Sequence, residues 1–418
     1  MEKRIYLCID LKSFYASVEC VERGLDPFEI NLVVADPSRG GGAITLAATP
    51  AIKKLGVKSR GRIYEIPVGI EYIIAPPRMA LYMEYSAKVY SVFLKYIASE
   101  DIYIYSIDEA FLDITPYLNL YKLKPKELAN KILADVYKNT GLTATVGIGT
   151  NLFLAKVAMD VIAKHTKDNM GFLDEDIFRQ KMWHHKPLTD IWMIGKGLNR
   201  RLNKLGIYDL YALSVYDERI LYKEFGINAR IMIEHSKGID NTTISDIKNY
   251  KPKANSISNS QILFENYNYK DAFLILKEMV DINVLKLVDK HLVCSRISLF
   301  IGYSKEARKP SHSTVKIANT TNSCKLLMNE FKELYIKIVD KNYPIRQIGI
   351  SFMDLKDEAY SEYDLFTDIN ELDKEHRLQD TINNIHKRYG KNSLLKGMNY
   401  LDKSTQRYRN TTIGGHKA

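Results

Sequence analysis

Two adjacent carboxylates, Asp108 and Glu109, stand at a break between two apolar runs. Residues 102–107 alternate with the period of a β-strand, and a second apolar run begins at Phe111. A charge placed among apolar strands costs several kcal/mol unless it is paired or holds a metal ion. Because Asp is also common in hairpin connections, this stretch alone leaves a solvated turn and a catalytic site equally open.

A third carboxylate, Asp10, ends the near-continuous apolar run of residues 5–9. This pattern is typical of a buried central strand whose end delivers one acid to a site, although a lone Asp there more commonly caps the following helix. The three acids can converge if the two elements are neighbours in one sheet. Oxygen ligands in that number suit Mg²⁺. Two such ions, about 3.5–4 Å apart, serve in-line nucleotidyl transfer.

The composition is that of an ordinary globular protein with a basic charge balance. Of the 418 residues, 46% are hydrophobic and 26% are charged. This length predicts about two to four domains. The 60 Lys and Arg residues outnumber the 50 Asp and Glu residues, which gives a net charge of +10. The excess favours a polyanionic partner, either nucleic acid or an acidic membrane surface, with general solubility as the simpler alternative.

The cysteines are widely scattered and form no Cys-x-x-Cys pair, so neither a zinc site nor a disulfide framework is expected. They are Cys8, Cys20, Cys294 and Cys324. Such usage fits a reducing compartment. No stretch approaches about 18 consecutive apolar residues, and the first apolar run is too short for a signal peptide. We therefore expect a cytoplasmic protein without a membrane span.

The rest of the chain divides by its sequence patterns. Strand-like and helical patterns mix up to about residue 173, as in an α/β or α+β domain. Basic residues cluster at and after a predicted short helix over 50–56. The cluster forms either a solvated surface or a phosphate-binding one, and consists of Lys53, Lys54, Lys58, Arg60 and Arg62.

Residues 187–240 have helical patterns and contain Gly195-Lys196-Gly197 before an amphipathic, basic helix. This arrangement resembles a helix-hairpin-helix, whose backbone amides hold one DNA phosphate without reading base sequence. Polar residues 241–255 are typical of a linker. A β-α-β-β-α-β order follows over 256–355, which predicts a split βαβ domain. A tail with an amphipathic helix ends the chain.

Three motifs in this order resemble those of the Y-family DNA polymerases, in the branch of UmuC-like and UvrX-like proteins. They are I-D-L-K-S-F-Y-A-S-V-E at 9–19, Y-S-I-D-E-A-F-L-D at 105–113, and T-V-G-I-G-T-N-L-F-L-A-K at 145–156. The resemblance covers nearly the whole chain and implies an α+β, multidomain right-hand polymerase. Its parts are a ferredoxin-like palm (1–18 and 80–173), small fingers (19–79), a helical thumb with the helix-hairpin-helix (174–240), a linker (241–255), a βαββαβ little finger (256–358) and a tail (359–418).

The resemblance implies a metal site and a reaction. Asp10, Asp108 and Glu109 hold two Mg²⁺ ions, for which Mn²⁺ can substitute, and the carbonyl of Leu11 is a further ligand. The substrates are primer-template DNA and deoxynucleoside triphosphates. The implied reaction is primer extension, in error-prone translesion synthesis during DNA repair and the SOS response.

The resemblance also implies how the incoming nucleotide is held. Tyr15 is the steric gate that excludes a ribose 2′-hydroxyl, the Phe14 backbone borders the triphosphate, and Lys164 reaches its phosphates. Where many relatives have a Tyr and an Arg, this sequence has Pro50 and Lys53. A Lys offers a point charge and not the bidentate fork of an Arg, so the way in which the triphosphate is held differs here.

Residues 362–366 resemble a sliding-clamp-binding motif, in which Leu365 and Phe366 are the apolar anchors and Glu362 replaces the usual Gln. An exposed linker is the alternative for this stretch. Two other readings of the whole chain remain. One is another metal-dependent enzyme with clustered acids, either a nucleotidyl cyclase or a nuclease. The other is a catalytically weak DNA-binding accessory factor of repair.

Overall fold

The computed structural model describes residues 4–252, 255–304, 308–365 and 367–418. Within them the chain forms two compact units. The first contains the residues up to Tyr250 together with His416–Ala418, and the second is Lys251–Gly415. In the part of the chain that is described, no helix is long and apolar enough to cross a membrane.

The first unit contains a mixed sheet of five strands and a smaller sheet of three short strands. Its strands, in chain order, are β1 (Tyr6–Leu11), β2 (Leu32–Val34), β3 (Ala47–Ala48), β4 (Ile73–Ala75), β5 (Ile102–Ile104), β6 (Glu109–Asp113), β7 (Ala144–Gly149) and β8 (Met170–Leu173). The main sheet has the order β5-β6-β1-β7-β8, and β1 is antiparallel to both of its neighbours. Residues 6–9 of β1 are buried. The apolar run before Asp10 is therefore the central strand that its pattern predicted.

Helices connect and cover these strands. They are α1 (Phe14–Val21), α2 (Pro50–Lys54), α3 (Met79–Phe93), α4 (Thr115–Tyr121), α5 (Pro125–Thr140), α6 (Leu152–Val157), α7 (Glu175–Met182), α8 (Lys196–Lys204), α9 (Leu210–Val215), α10 (Glu218–Phe225), α11 (Asn228–Ser236) and α12 (Ile244–Asn249). In the main sheet, β6 lies between β1 and β5, and β1 lies between β6 and β7. The pairs β1/β5 and β6/β7, each joined by a helical crossing, are thus separated by one strand, which is the split βαβ arrangement, whereas β8 pairs directly with β7 in parallel.

Two glycines of β7 allow a helix to lie directly on the sheet. A Cβ at Gly147 would stand 2.0 Å from the Ala155 carbonyl oxygen, and one at Gly149 would stand 2.2 Å from the Ala155 nitrogen. Any side chain at these two positions would push α6 away from the strand. The helix continues beyond α6 as a π-helical turn, Ala158–Ile162. The close approach brings the charged residues of α6 and this turn over the end of β1.

Residues 241–255 were predicted to be a linker because they are polar, but this stretch contains the helix α12. Thr243 and Asp246 form a capping box at its start: the Asp246 amide donates to Thr243 Oγ1 at 3.1 Å, and the Thr243 amide donates to the Asp246 carboxylate at 2.9 Å. Ile244 and Ile247, three residues apart on one helix face, pack into the apolar cluster that contains Tyr6 of β1. This part of the stretch is therefore packed on the main sheet of the first unit.

The second unit contains a sheet and three long helices. Its elements are β9 (Ser256–Tyr267), α13 (Tyr269–Asp289), β10 (Leu292–Tyr303), β11 (Ser311–Thr321), α14 (Cys324–Ile338), β12 (Ile345–Met353), β13 (Lys356–Asp357), α15 (Ile369–Tyr389), α16 (Gln406–Arg409) and β14 (Thr412–Ile413); β15 (His416–Lys417) belongs to the first unit. The sheet order is β11-β10-β12-β9, with every neighbouring pair antiparallel. The predicted βαββαβ order is confirmed, and with it the α+β fold class.

The C-terminal tail is anchored to the second unit by a buried carboxylate. Glu278 on α13 is almost completely buried. It accepts hydrogen bonds from Asn399 Nδ2 at 2.9 Å and from the Thr405 amide at 3.0 Å, and it also contacts the Ser404 hydroxyl. Such a carboxylate is stable in an apolar interior only because these donors replace water.

Candidate active site

The strand register brings the three predicted acids together. Asp10 on β1 lies directly opposite Glu109 on β6. The Leu11 amide donates a hydrogen bond to the Asp108 carbonyl oxygen at 2.9 Å, which holds the bend of the hairpin beside the end of β1. Two elements that are about 100 residues apart in sequence thus present their carboxylates at one end of the central strand.

Ser106 orders the bend that carries two of the acids. Its hydroxyl donates to Asp108 Oδ1 at 2.6 Å, and the Glu109 amide donates to the same hydroxyl oxygen at 3.1 Å. The Ser106 amide in turn donates to the Glu109 carbonyl at 3.1 Å. The connection is therefore a hydrogen-bonded bend that orients Asp108, and not a loosely solvated turn.

Lys156 pairs with Glu109, a contact that sequence reasoning missed. Its ammonium group is buried, with 6% of the side chain exposed, and lies 2.6 Å from Glu109 Oε1 and 2.9 Å from Asp160 Oδ2. Lys164 continues the network, 2.8 Å from Asp160 Oδ1 and 3.7 Å from Asp10 Oδ2. Burial opposes the charge of Lys156, but the carboxylates of Glu109 and Asp160 hold its pKa above the ordinary value.

The spacing of these residues was visible in the sequence. Lys156, Asp160 and Lys164 follow one another at intervals of four, which places alternating charges on one face of a helix. The third motif ends at Lys156, yet it carries no indication of which acid that side chain meets. The sequence therefore shows a periodic pattern of charges, but it does not show that Lys156 is buried between two acids.

The electrostatics of Asp10 fit a bound cation. Burial raises the pKa of Asp10 to about 7, and the charges of Glu109 and Asp108 add to this against the opposing effect of Lys164. A divalent cation would relieve exactly the repulsion that these carboxylates exert on one another. The described residues contain no group of three or more His, Cys, Asp or Glu side chains that could hold a metal ion by itself. Mg²⁺ does not need one, because it keeps waters and shares substrate phosphates.

Asp10→Asn is expected to stabilise the metal-free protein above pH 7 and to leave its stability unchanged near pH 4. The folded protein holds the Asp10 proton more tightly than the unfolded chain, since the pKa moves from 3.8 to about 7. The stability that protonation confers is therefore complete below about pH 4 and is lost as the pH rises to about 7, with a cost on the order of 2–4 kcal/mol. Urea unfolding in a chelator between pH 4 and 8 measures the difference.

Asp176→Asn is the control for this measurement, because Asp176 is 81% exposed on α7. The Asp176→Asn variant should have the same free energy of unfolding as the wild type at every pH. A difference between Asp10→Asn and the wild type that does not vary with pH would refute the raised pKa of Asp10 on which this prediction rests.

Tyr15 lies in an aromatic stack close to Asp108. Its ring stacks on that of Tyr82, with 4.4 Å between centroids and 17° between planes, and Phe14 contacts both rings. Burial raises the pKa of Tyr15, and the charge of Asp108 adds to the rise. The Tyr82 hydroxyl donates to buried Glu19 at 2.7 Å. The Tyr15 ring is therefore held on one face by a side chain that is itself fixed.

Lys53 reaches the same region from α2. Its ammonium group donates to the Ser13 hydroxyl at 2.7 Å. Burial lowers the pKa of Lys53, and the charge of Asp10 acts in the opposite direction. Ser13 has the left-handed conformation, with φ at 49°, which is uncommon for a residue other than glycine. The structure thus brings Lys53 and Lys164 together with Asp10, while Pro50 forms the first turn of α2.

The predicted DNA-binding residues lie at the start of α8. Gly195 is the N-cap, no side chain caps the helix, and Lys196 and Gly197 form its first turn. A Cβ at either glycine would meet nothing within 4 Å. The first amides of a helix have no partner within it, so this turn presents N–H groups and a partial positive charge. A 3₁₀ turn, Leu188–Asp190, precedes it.

The stretch that resembles a clamp-binding motif lies in the second unit. Leu365 is 99% exposed. The Glu362 carboxylate accepts hydrogen bonds from the Thr320 amide at 2.9 Å and from its hydroxyl at 2.6 Å, which fixes the start of the stretch to β11. Phe366, the second predicted anchor, lies outside the described residues.

Comparison with known proteins identifies the family. The model of the impB/mucB/samB family matches residues 9–160, and that of the family's C-terminal domain matches 254–365. UvrX of Bacillus subtilis (strain 168), named for UV-damage repair, is 31% identical over 99% of this chain and 97% of its own. DNA polymerase IV 2 of the same organism is 27% identical over 100% of this chain and 99% of its own. A solved Y-family DNA polymerase chimera of Dbh and Dpo4 has the same fold, with a TM-score of 0.64 at 23% identity over 84% of this chain and 98% of that one.

These matches agree with the motifs and with the sheet that joins them. They extend over both units, whereas the motifs alone lie in the first. The resemblance read from the motifs is confirmed, and the nucleotidyl cyclase and nuclease alternatives are not supported. The chain therefore belongs to the Y family of DNA-directed DNA polymerases, in its UvrX-like branch.

Proposed function

We propose that the chain extends a primer 3′ end by two-metal nucleotidyl transfer, in error-prone translesion synthesis during DNA repair and the SOS response. The observation that carries the proposal is the register of β1 and β6, which sets Asp10 opposite Glu109 and beside Asp108. Carboxylates arranged in this way are the donors that Mg²⁺ prefers. As for other DNA polymerases, the substrates would be primer-template DNA and deoxynucleoside triphosphates.

Asp10, Asp108 and Glu109 would hold the two divalent ions, with the Leu11 carbonyl as a further ligand. When bound, Mg²⁺, or Mn²⁺ in its place, lowers the pKa of the primer 3′-hydroxyl and neutralises the triphosphate. Lys156 holds Glu109 through Oε1 and compensates part of the negative charge at this end of β1. Ser106 orients Asp108 through the hydrogen bond to Oδ1.

The incoming nucleotide would lie against the segment between β1 and α1. The Phe14 backbone would border the triphosphate, and the Tyr15 ring would occupy the space that a ribose 2′-hydroxyl requires. Lys164 and Lys53 would contact the phosphates. Because Ser13 holds Lys53 near Asp10, this ammonium group is available where relatives place an Arg, as a point charge without a fork.

DNA would be held by the first turn of α8, where Gly195, Lys196 and Gly197 present amides to one phosphate. In this proposal the first unit supplies the palm, fingers and thumb, and the second supplies the little finger and the tail. The role in repair is supported by UvrX, which is named for UV-damage repair, and by the polymerase IV relatives. The cysteines of the described chain are free thiols, which fits a cytoplasmic location.

Primer extension on undamaged and lesion-bearing templates tests the proposal. We expect extension with Mg²⁺ or Mn²⁺, none in a chelator, and synthesis past at least one lesion that stops a replicative polymerase. Binding of primer-template DNA without extension under any of these conditions would favour the accessory factor. Extension of undamaged templates with no bypass of any lesion would remove the translesion role and keep the polymerase.

We also propose that residues 362–366 bind a sliding clamp, with Leu365 as an anchor beside Phe366. The support is the resemblance to a clamp-binding motif, the near-complete exposure of Leu365, and the fixation of the start of the stretch. Thr320 provides that fixation by binding the Glu362 carboxylate.

Leu365→Ala is expected to weaken binding to the sliding clamp roughly tenfold, because truncation of a buried interface anchor costs about 1–2 kcal/mol. Primer extension without the clamp should be unchanged. Surface plasmon resonance against immobilised clamp measures the loss. Leu378→Ala is the matched control, as Leu378 is 60% exposed on α15 and lies outside the stretch. Equal clamp affinity for the wild type and Leu365→Ala would refute the clamp-binding proposal and favour an exposed linker at residues 362–366.

A further inference from the structure

Trp192 contacts the hairpin that carries the acids. It lies in the segment between the Leu188–Asp190 turn and α8, and its indole Nε1 donates to the Tyr105 hydroxyl at 3.2 Å. The two rings meet edge to face, with 6.0 Å between centroids and 79° between planes. Tyr105 stands three residues before Asp108. The proposed thumb and the hairpin that carries the acids therefore meet through a hydrogen-bonded side-chain pair.

Tyr105 is in turn joined to Glu109 in two ways. Its backbone amide donates to the Glu109 carbonyl at 3.0 Å. The Lys156 ammonium group, bonded to Glu109 Oε1, lies 5.8 Å from the centroid of the Tyr105 ring. A shift of the Tyr105 ring would therefore move both the main chain and the counter-charge of this acid.

Trp192 itself is held by the first unit on its other sides. Its ring contacts Phe111 of β6 at 6.0 Å and lies nearly parallel to that of buried His235 at 6.3 Å. The next residue, Met193, has φ at 70°, a left-handed conformation that persists only where the surroundings impose it. Gly195 follows two residues later. The indole position is thus coupled to the start of the proposed phosphate-binding turn.

We propose that Trp192 and Tyr105 are positioning residues that orient Glu109 and Asp108 relative to the DNA backbone held at α8. The contact converts phosphate binding at Gly195–Gly197 into a defined placement of the primer end at the acids. In this role both side chains act through the hairpin and not by contact with substrate. The inference rests on the proposed polymerase activity and on the assignment of α8 to DNA, and it adds the link between the two sites.

The test uses Trp192→Phe, which removes the indole donor and keeps a ring, together with Tyr105→Phe and the double variant. Single-turnover incorporation at saturating deoxynucleotide is expected to fall roughly tenfold in each, since a small misplacement of reacting groups costs up to about 10²-fold in rate. Affinity for primer-template DNA and KM for the nucleotide should stay within about twofold. The double variant should be no slower than the slower single variant, because both remove one hydrogen bond.

Trp183→Phe is the matched control. Trp183 donates its Nε1 to the Ser236 carbonyl at 3.0 Å, and its ring meets that of Tyr211 at 57° with 5.3 Å between centroids. It should incorporate nucleotide at the wild-type rate. A general loss of stability would instead lower DNA affinity and rate together in all variants.

Wild-type rates in Trp192→Phe and Tyr105→Phe, or additive losses in the double variant, would overturn the positioning role and leave the proposed activity intact. A wild-type protein that binds DNA but extends no primer would overturn the proposed activity, and the positioning role with it.

Discussion

Asp108→Ala is expected to abolish primer extension and to leave DNA binding unchanged. The carboxylate would be a ligand for the metal ions, and its loss removes charge stabilisation that no neighbour can replace, with an expected fall of at least about 10³-fold in rate. The fold should survive, because the local partner of Asp108 Oδ1 is the Ser106 hydroxyl on the same bend. The α8 turn that would bind DNA is on another element. Single-turnover primer extension and fluorescence anisotropy measure the two properties separately.

Asp108→Asn and Asp176→Asn sharpen this experiment. Asp108→Asn keeps the shape of the side chain and should be almost as inactive, since the neutral amide lacks the negative charge of the carboxylate and has an NH₂ group in place of one of its oxygens. The second alters an exposed acid on α7 and should be as active as the wild type. Extension by Asp108→Ala at the wild-type rate would refute the two-metal proposal, whereas loss of DNA binding would show that the substitution had damaged the fold.

Tyr15→Ala is expected to admit ribonucleotides, with a rise of roughly 10²- to 10³-fold in their efficiency relative to deoxynucleotides. The Tyr15 ring is fixed by its stack on Tyr82 and cannot easily swing aside to accommodate a 2′-hydroxyl. Removal of the ring opens that space. The measurement is the ratio of kcat/KM for matched deoxy- and ribonucleoside triphosphates on one template.

Tyr15→Phe separates the ring from its hydroxyl. Exclusion by shape requires only the ring, so this variant should keep the sugar discrimination of the wild type. If Tyr15→Ala discriminates against ribonucleotides as strongly as the wild type, the steric gate lies at another residue.

The convergence of the acids could be predicted because each acid stands at the end of a short local pattern. The apolar run of residues 5–9 identifies a buried strand, and the alternation before Asp108 identifies a hairpin arm. Motif resemblance then supplied the pairing of the two elements, and the register of Asp10 with Glu109 agrees with it. Patterns of this kind depend on neighbours only a few residues away, which is why the sequence reports them.

The partner of Lys156 could not be predicted in the same way. Its spacing from Asp160 and Lys164 defines a charged helix face but not the acid that this face meets. That depends on Gly147 and Gly149, whose missing side chains let α6 approach the sheet until the ammonium group reaches Glu109. The contact of Lys53 with Ser13, which is 40 residues away in sequence, likewise could not be predicted from the local pattern.

The local sequence of this protein thus determines its strands, its helices and the types of residue that can bind metal and DNA. Only the folded chain decides how the charges are compensated: Glu109 by Lys156, and Glu278 by donors from the C-terminal tail. A buried charge is tolerable only where a partner from a distant segment replaces water. Which partner a buried charge meets depends on how distant segments pack against one another. That packing cannot be read from any single stretch of the sequence.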